Sequence, residues 1–266
     1  MSTTGTALIT GASSGIGAVY AHRLAHRGYD LILVARDTAK LEAVAERLRA
    51  ETGRAIEVVS ADLAIAANVE QIAHRLDAEP AITLLVNNAG ITLSGSVLES
   101  GPEQVQRLIA VNITAPALLA AAAGKAFAAR KAGTIVNIAS VLALVPEMLD
   151  GVYSGSKAFL LNLSIDLAAK LRESGVHVQA VLPGATRTAI WKISGKDVDA
   201  ILPGKVMDAG DLVDAALAGL DKGETITIPP LADESLWTAY HEARLALAPH
   251  LSESQVAARY RRAVAA

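Results

Sequence analysis

Tyr153 and Lys157 stand four residues apart in a stretch of helical periodicity, a spacing that brings both side chains to one face. A phenol at its ordinary pKa of about 10 exchanges protons poorly at neutral pH, and a neighbouring ammonium favours the phenolate and lowers that value. The pair is therefore suited to general acid–base work on a single oxygen. Helices also carry such pairs incidentally, so the weight comes from order along the chain. Ser140 closes an apolar run, Tyr153 and Lys157 follow, and a glycine-rich turn precedes all three.

That turn reads Thr10-Gly-Ala-Ser-Ser-Gly-Ile-Gly17 and lies between an apolar run and a helical pattern. Gly11 permits a tight turn, Gly15 lets backbone approach a pyrophosphate, and Gly17 allows close helix–strand packing. The helix N-terminus then offers free N–H groups and a positive dipole end to phosphate. The spacing is G-x-x-x-G-x-G, not the commoner G-x-G-x-x-G. The second apolar run ends Leu33-Val-Ala-Arg36. A site for NAD usually places an acidic residue near this point for the ribose 2′-hydroxyl, whereas an Arg accommodates a 2′-phosphate. Arg36 after Ala35 thus points to NADP in preference to NAD, with Asp37 next door as a partial neutraliser.

These groups need a scaffold that gathers them. Strand-like runs are Thr6–Thr10, Asp30–Ala35, Ile56–Ser60, Thr83–Val86, Thr134–Ala139, Val176–Leu182 and Thr225–Ile228. Helical patterns lie between them, at roughly 16–27, 38–51, 66–78, 102–130, 152–173 and 209–221. Asp37 or Thr38 would cap the second helix, with Gly53 just beyond its end. The alternation predicts an α/β fold: a Rossmann-type doubly wound parallel sheet of about seven strands with helices on both faces. Composition agrees, because 52% of residues are hydrophobic but only 3% aromatic, leaving Ala, Val, Leu and Ile to fill the core. In such sheets ligands bind beyond the carboxyl ends of the strands. Asp62, Asn87-Asn88-Ala89-Gly90, Ser140 and Pro183-Gly184 all follow strand candidates at that edge.

The 266 residues read as a single domain. The irregular stretch 189–204 holds Trp191 and reads as a substrate loop. Residues 231–266 form a helical extension, with Pro249 separating two pieces. A net charge of −3 gives no footprint for nucleic acid, and the apolar run Ala115–Ala123 is too short to span a bilayer. With no cysteine, thiolate chemistry and disulfides are excluded. No leader pattern opens the sequence, so the expected location is cytoplasmic.

Taken together, Thr10–Gly17, Asp62-Leu63, Asn87-Asn-Ala-Gly90, Asn112, Ser140, Tyr153-x-x-x-Lys157 and Pro183-Gly184 with Thr188 resemble the short-chain dehydrogenase/reductase family, in family order across about residues 5–190. The resemblance implies that Tyr153 is the general acid for carbonyl reduction or the base for alcohol oxidation. Lys157 lowers its pKa and binds the nicotinamide ribose, Ser140 hydrogen-bonds the substrate oxygen, and Asn112 supports a water-linked proton relay to Lys157. The implied cofactor set is Gly11, Ser13, Ser14, Gly15, Ile16, Gly17, Arg36, Asp62, Leu63, Asn88, Ala89, Gly90, Tyr153, Lys157, Pro183, Gly184 and Thr188. Within it Asp62 meets the adenine, Asn88 the adenosine side and Thr188 the nicotinamide carboxamide. Two features depart from the family pattern. Gly155 replaces the usual alanine, which leaves room beside a ligand, and Ile228-Pro-Pro-Leu follows the last strand.

The expected partner is a small, largely apolar ketone or secondary alcohol, bordered by Ser140, Leu142, Leu144, Met148, Tyr153, Ile190 and Trp191. No nucleic acid, membrane or metal is expected. His22 and His26 share a helix face at metal-compatible spacing, but no third ligand stands nearby in sequence. The helix after Tyr153 is apolar nearly all round, which points to a subunit contact; the family implies a homodimer or homotetramer. Two other readings stay open: an NADP(H)-sensing binding protein, and an epimerase or dehydratase with a tightly held cofactor.

Overall fold

The computed structural model describes residues 4–148, 151–188 and 198–261. Strands β1 (Thr6–Thr10), β2 (Asp30–Ala35), β3 (Ile56–Ser60), β4 (Ile82–Asn87), β5 (Gly133–Ile138), β6 (Val176–Val181) and β9 (Ile226–Thr227) form one sheet, ordered β3-β2-β1-β4-β5-β6-β9. Every pairing in it is parallel. Helices α1 (Gly15–His26), α2 (Thr38–Thr52), α3 (Ala66–Ala78), α4 (Pro102–Ile109), α5 (Ala115–Arg130), α6 (Gly151–Leu171) and α8 (Ala209–Asp221) connect the strands. A two-residue pair, β7 (Thr186–Arg187) with β8 (Met207–Asp208), and the short α7 (Val198–Ile201) were not foreseen. Elements that short carry no readable period.

Both faces of the sheet are covered, as the near-continuous apolar runs of β1, β2 and β4 require. Along β1 the side chains alternate: Ala7 and Ile9 join the cluster under α1, α2 and α8, while Leu8 joins the one under α3 and α5. Ion pairs Arg23–Asp214 at 2.7 Å and Arg27–Asp221 at 2.8 Å link α1 to α8. The α2 helix begins where expected, with Asp37 accepting from the Lys40 N–H at 3.1 Å, and ends at Gly53 in the left-handed region. The chain winds outward from β1 to β3 and then returns to β4, so a crevice opens between the ends of β1 and β4.

The α4–α5 run is continuous but holds a π-helical turn, Ala110–Thr114. Pro116 has no N–H to donate to the Asn112 carbonyl four residues earlier, so the ordinary ladder cannot continue there. By length and composition the run Pro102–Arg130 could cross a membrane, with an 18-residue window of mean hydropathy 1.5. The shorter run Ala115–Ala123 lies within it. Half of that window is buried, and Leu119, Ala120, Ala123 and Phe127 sit in the core against the sheet.

Contacts divide the chain into two compact units, Met1–Pro229 and Pro230–Ala266. In the second, α9 (Glu234–Leu247) starts at Asp233, which caps the Ser235 N–H at 3.0 Å, and Pro249 lies in a single 3-10 turn after it.

Candidate active site

The glycine turn is built around its neighbours across the crevice. Gly11 has φ +67°, and a Cβ there would stand 2.8 Å from Asn88 Nδ2 and 2.9 Å from Ala89 Cα. A Cβ on Gly17 would collide with the Gly11 carbonyl and Asn88 Nδ2. Gly17 therefore packs against the turn itself rather than against a strand. Ser14 is the α1 N-cap but makes no side-chain cap, and the first turn holds no acidic residue. Its N–H groups thus face the crevice with no built-in carboxylate competing for them, the chemistry that suits a pyrophosphate. Ser13 and Ile16 are half-buried beside it. We predict that Gly17→Ala costs about 1–3 kcal/mol through overpacking; a lower Tm and weakened NADPH binding would be measured, and unchanged values of both would refute it.

Thr10 is an anchor the sequence reading passed over. Its hydroxyl donates to Val86 O at 3.3 Å and accepts from the N–H groups of Asn88 (3.0 Å) and Ala89 (3.1 Å). The Asn88 amide donates to the carbonyls of Thr10 (2.9 Å) and Gly11 (3.2 Å). Asn88, expected on the adenosine side of a cofactor, also shapes the turn through its amide nitrogen. Its side chain sets the shape that Gly11 and Gly17 make possible.

At the outer end of the crevice Arg36 is exposed. Asp37, expected to compete for it, is engaged elsewhere: it caps α2 and pairs with Lys40 Nζ at 2.8 Å. Asp62 follows β3 and is half-buried, with Leu63 buried behind it. Both Asp62 oxygens accept from Arg107 Nη2, at 3.0 and 2.7 Å, and Oδ1 also accepts from the Ala64 N–H at 3.0 Å. Burial pushes the Asp62 carboxyl up, but the Arg107 and Ala64 bonds and the nearby charge of Arg36 outweigh it, so the group lies below its usual range. Arg107 was not singled out from sequence, because only the fold brings α4 beside the end of β3.

The inner end holds the titratable pair. Lys157 is 5% exposed, donates to Ile138 O at 2.8 Å, and sits 5.6 Å above the centroid of the Tyr153 ring. Gly90 leaves room here: a Cβ on it would stand 3.4 Å from Lys157 Nζ and 3.6 Å from Asn112 Oδ1. Desolvation pushes Tyr153 up, to about 12, and Lys157 down, to about 8. The direction for Tyr153 is opposite to the expected lowering. Lys157 lies over the ring face with its ammonium tied to a carbonyl, and burial dominates both groups.

Asn112 is buried on the π turn. It accepts from the Ile91 N–H at 2.9 Å and donates to Ile91 O at 2.8 Å and to Ser156 Oγ at 3.1 Å. Ser156 in turn donates to Tyr153 O at 2.7 Å, so it ties the start of α6 to the π turn. Sequence reasoning missed Ser156, although its place three residues after Tyr153 on the buried face was a usable signal.

Ser140 lies two residues beyond β5, accepts from the Leu142 N–H at 3.2 Å and donates to Pro183 O at 3.5 Å. Pro183 O also accepts from the Val141 N–H at 2.9 Å, so the ends of β5 and β6 are joined here. The α6 helix packs against the turn Val141–Ala143, which Ser140 caps through the Leu142 N–H. Gly184 O accepts from Thr186 Oγ1 at 3.0 Å, and the Thr188 methyl would meet a Cβ on Gly15 at 3.3 Å. Leu144 is half-buried and Met148 exposed. Ile190 and Trp191 lie outside the described residues. Gly155 is exposed, and a Cβ there would meet nothing within 4 Å.

Away from this edge, the fold supplies what sequence spacing could not for His22 and His26: Glu51 of α2 joins them, with ligand atoms within 4.8 Å. Two guanidinium groups stand in the same cluster. Arg23 Nη1 lies 3.0 Å from His22 Nδ1, and Arg47 lies 3.8 Å from Glu51. Their charges oppose a bound cation.

Fold and edge together define a Rossmann-like α/β protein whose crevice is lined for a dinucleotide. A model of the family described as short chain dehydrogenase matches residues 5–199. The chain belongs to the short-chain dehydrogenase/reductase family of oxidoreductases. A short-chain dehydrogenase from Sphingobium yanoikuyae, solved in complex with NADPH, is 48% identical with a TM-score of 0.93, covering 96% of this chain and 100% of that one. The bulky-bulky ketone specific alcohol dehydrogenase from Comamonas testosteroni is 43% identical with a TM-score of 0.90, covering 96% and 98%. Human 17-beta-hydroxysteroid dehydrogenase type 3 is 37% identical over 194 residues, 72% of this chain. That match spans 62% of the human protein's length.

Proposed function

We propose that the protein is an NADP(H)-dependent oxidoreductase that interconverts a ketone carrying two bulky, largely apolar substituents and the corresponding secondary alcohol. The observation that carries this reading is the meeting of the α1 glycine turn with Tyr153, buried Lys157 and buried Asn112 at one edge of the sheet. The NADPH bound by the Sphingobium structure and the ketones named for the Comamonas enzyme support it.

Gly11–Gly17 and the first turn of α1 would hold the pyrophosphate, Arg36 the 2′-phosphate, and Lys157 the ribose nearest the nicotinamide. When bound, NADPH supplies the hydride. Tyr153 donates its phenolic proton to the carbonyl oxygen as the C–O bond becomes single, and Ser140 donates a second hydrogen bond to that oxygen. The phenolate left behind is stabilised by the Lys157 ammonium over the ring. The Asn112 carbonyl, to which Pro116 has no N–H to donate, would accept in a proton path that restores the phenol. Alcohol oxidation runs the same proton in reverse.

Arg36→Ala should lower kcat/KM for NADPH by about 10- to 100-fold, the loss of one charge-assisted phosphate contact, and leave the NADH value unchanged. An equal fall with both cofactors would refute the assignment. The pH dependence follows from Lys157. With its pKa pushed down to about 8, the ammonium is present below pH 8 and lost above it. Tyr153, raised to about 12, keeps its proton throughout. Ketone reduction should therefore be flat below pH 8 and decline above it; a kcat that climbs steadily to pH 10 would contradict this.

Ile109, Leu118 and Phe159 remain exposed on α4, α5 and α6, which supports a homodimer or homotetramer built on these helices. We place the chain in the cytoplasm and read residues 1–266 as one catalytic domain carrying the C-terminal unit. The reaction is tested by screening NADPH and NADH oxidation against ketones of graded bulk. Stoichiometric NADPH binding without oxidation of any of them would favour a cofactor sensor, and a copurified, non-exchanging cofactor an epimerase or dehydratase.

A further inference from the structure

Two carboxylates flank Arg36, and the fold gives each of them another partner. Asp37, the next residue along, accepts from the Lys40 N–H at 3.1 Å and pairs with Lys40 Nζ at 2.8 Å. Asp62 comes beside Arg36 because β2 and β3 stay in register to their last residues, Ala35 opposite Ser60. The Ala61 N–H donates to Ala35 O at 3.0 Å and Ser60 Oγ to Arg36 O at 3.4 Å, which carries that register past the strand ends. The Asp62 carboxylate is taken by Arg107, whose Nη2 meets both oxygens at 3.0 and 2.7 Å. Arg36 is left exposed and, among the described residues, in no ion pair. Arg107 had a nearer candidate. Glu103 stands four residues before it on α4, the spacing at which helical ion pairs form, yet the pair it makes is with Asp62, 45 positions away. Asp62, for its part, is fixed without Arg107. Its Oδ1 accepts from the Ala64 N–H at 3.0 Å, and its carbonyl accepts from the Ile65 N–H at 2.9 Å and from Asn68 Nδ2 at 3.3 Å.

We propose that Arg107 is a positioning residue for cofactor choice: by holding the Asp62 carboxylate and cancelling its charge, it keeps Arg36 open to the 2′-phosphate that separates NADP from NAD. The proposal rests on the assignment of Arg36 to that phosphate. Removing the Arg107 guanidinium would leave an anion standing in the same place, half-buried and beside Arg36. Loss of Arg107 does not discharge the group, because an ordinary carboxyl titrates at about pH 4. The uncompensated carboxylate would then act in two ways, pairing with Arg36 and repelling a phosphate brought to it. Both weaken binding of a 2′-phosphate, and neither touches a ligand that lacks one. This sets the two arginines apart. Arg36 is the contact, and its loss removes the partner of the phosphate. Arg107 acts through Asp62, so the harm done by its loss disappears when the carboxylate is removed as well.

The test is a calorimetric titration of the full-length protein with adenosine 2′,5′-bisphosphate and with adenosine 5′-phosphate, which differ only by the 2′-phosphate and carry no reacting ring. The parent is expected to prefer the bisphosphate. Arg107→Met should lower that preference by about 10-fold through weaker bisphosphate binding, the order expected for one neighbouring charge in partly exposed surroundings. Asp62→Asn combined with Arg107→Met should restore the parent preference, with unchanged far-UV circular dichroism verifying the fold of both variants. An equal loss of both ligands in Arg107→Met, or a parent preference that survives it, overturns the proposal. So does a preference that stays low in the double variant, which would make Arg107 a direct ligand of the phosphate. Those three outcomes leave the assignment of Arg36 standing. A parent with no preference between the two ligands overturns that assignment, and the proposal falls with it.

Discussion

Tyr153→Phe is expected to lower kcat for ketone reduction by about 10²–10⁴-fold, the usual worth of a positioned general acid, while NADPH binds within a few-fold of the parent affinity. The substitution removes one oxygen and keeps the ring, so the stack beneath Lys157 and the bond from Ser156 to the Tyr153 carbonyl both survive. What is lost is the phenolic oxygen with its proton. Single-turnover loss of reduced-nicotinamide absorbance, with cofactor affinity from protein fluorescence, separates the two effects. Parallel loss of binding and turnover would mean that Tyr153 holds the site together rather than reacting in it.

Lys157→Met should separate activity from stability in the opposite sense. Turnover falls by about 10³-fold or more, because the phenolate loses its counter-charge. The folded protein becomes more stable near neutral pH, by roughly 1–3 kcal/mol, because a buried ammonium gives way to an apolar side chain of similar length. The sign follows from linkage. Burial lowers Lys157 from near 10.5 to about 8, so between those values the unfolded chain binds a proton that the folded chain does not. The cost of holding the charge is full below pH 8 and disappears above about 10.5. The gain from Met should fade over the same interval. A lower Tm at pH 7 would show that the bond to Ile138 O outweighs desolvation.

Much of this arrangement is legible in the order of residues alone. The bounds of β1, β2 and β3 agree with the strand-like runs to the residue, and for β1 and β2 the reason is that strands buried on both faces read as near-continuous hydrophobic stretches. The cap at Asp37 and the stop at Gly53 follow from local chemistry. What escaped depends on contacts between distant segments. Thr10 meets Asn88 across 78 positions, Arg107 reaches Asp62 across 45, and Asn112 meets Ser156 across 44. No local period encodes these. The π turn was different, since Pro116 inside an otherwise helical pattern was a visible warning that the ladder breaks at Asn112. The direction of the Tyr153 shift was misjudged because a spacing of four residues fixes a shared face but not burial. Desolvation depends on what covers that face, which only the fold supplies.

Transfer of the label in NADPH carrying deuterium at the reactive ring carbon tests the central claim most directly. With a bulky ketone as acceptor, the predicted product is the secondary alcohol bearing one deuterium on its carbinol carbon for each cofactor consumed, and Tyr153→Phe suppresses its formation. Alcohol without the label, or label lost to solvent with the ketone unchanged, would contradict the account.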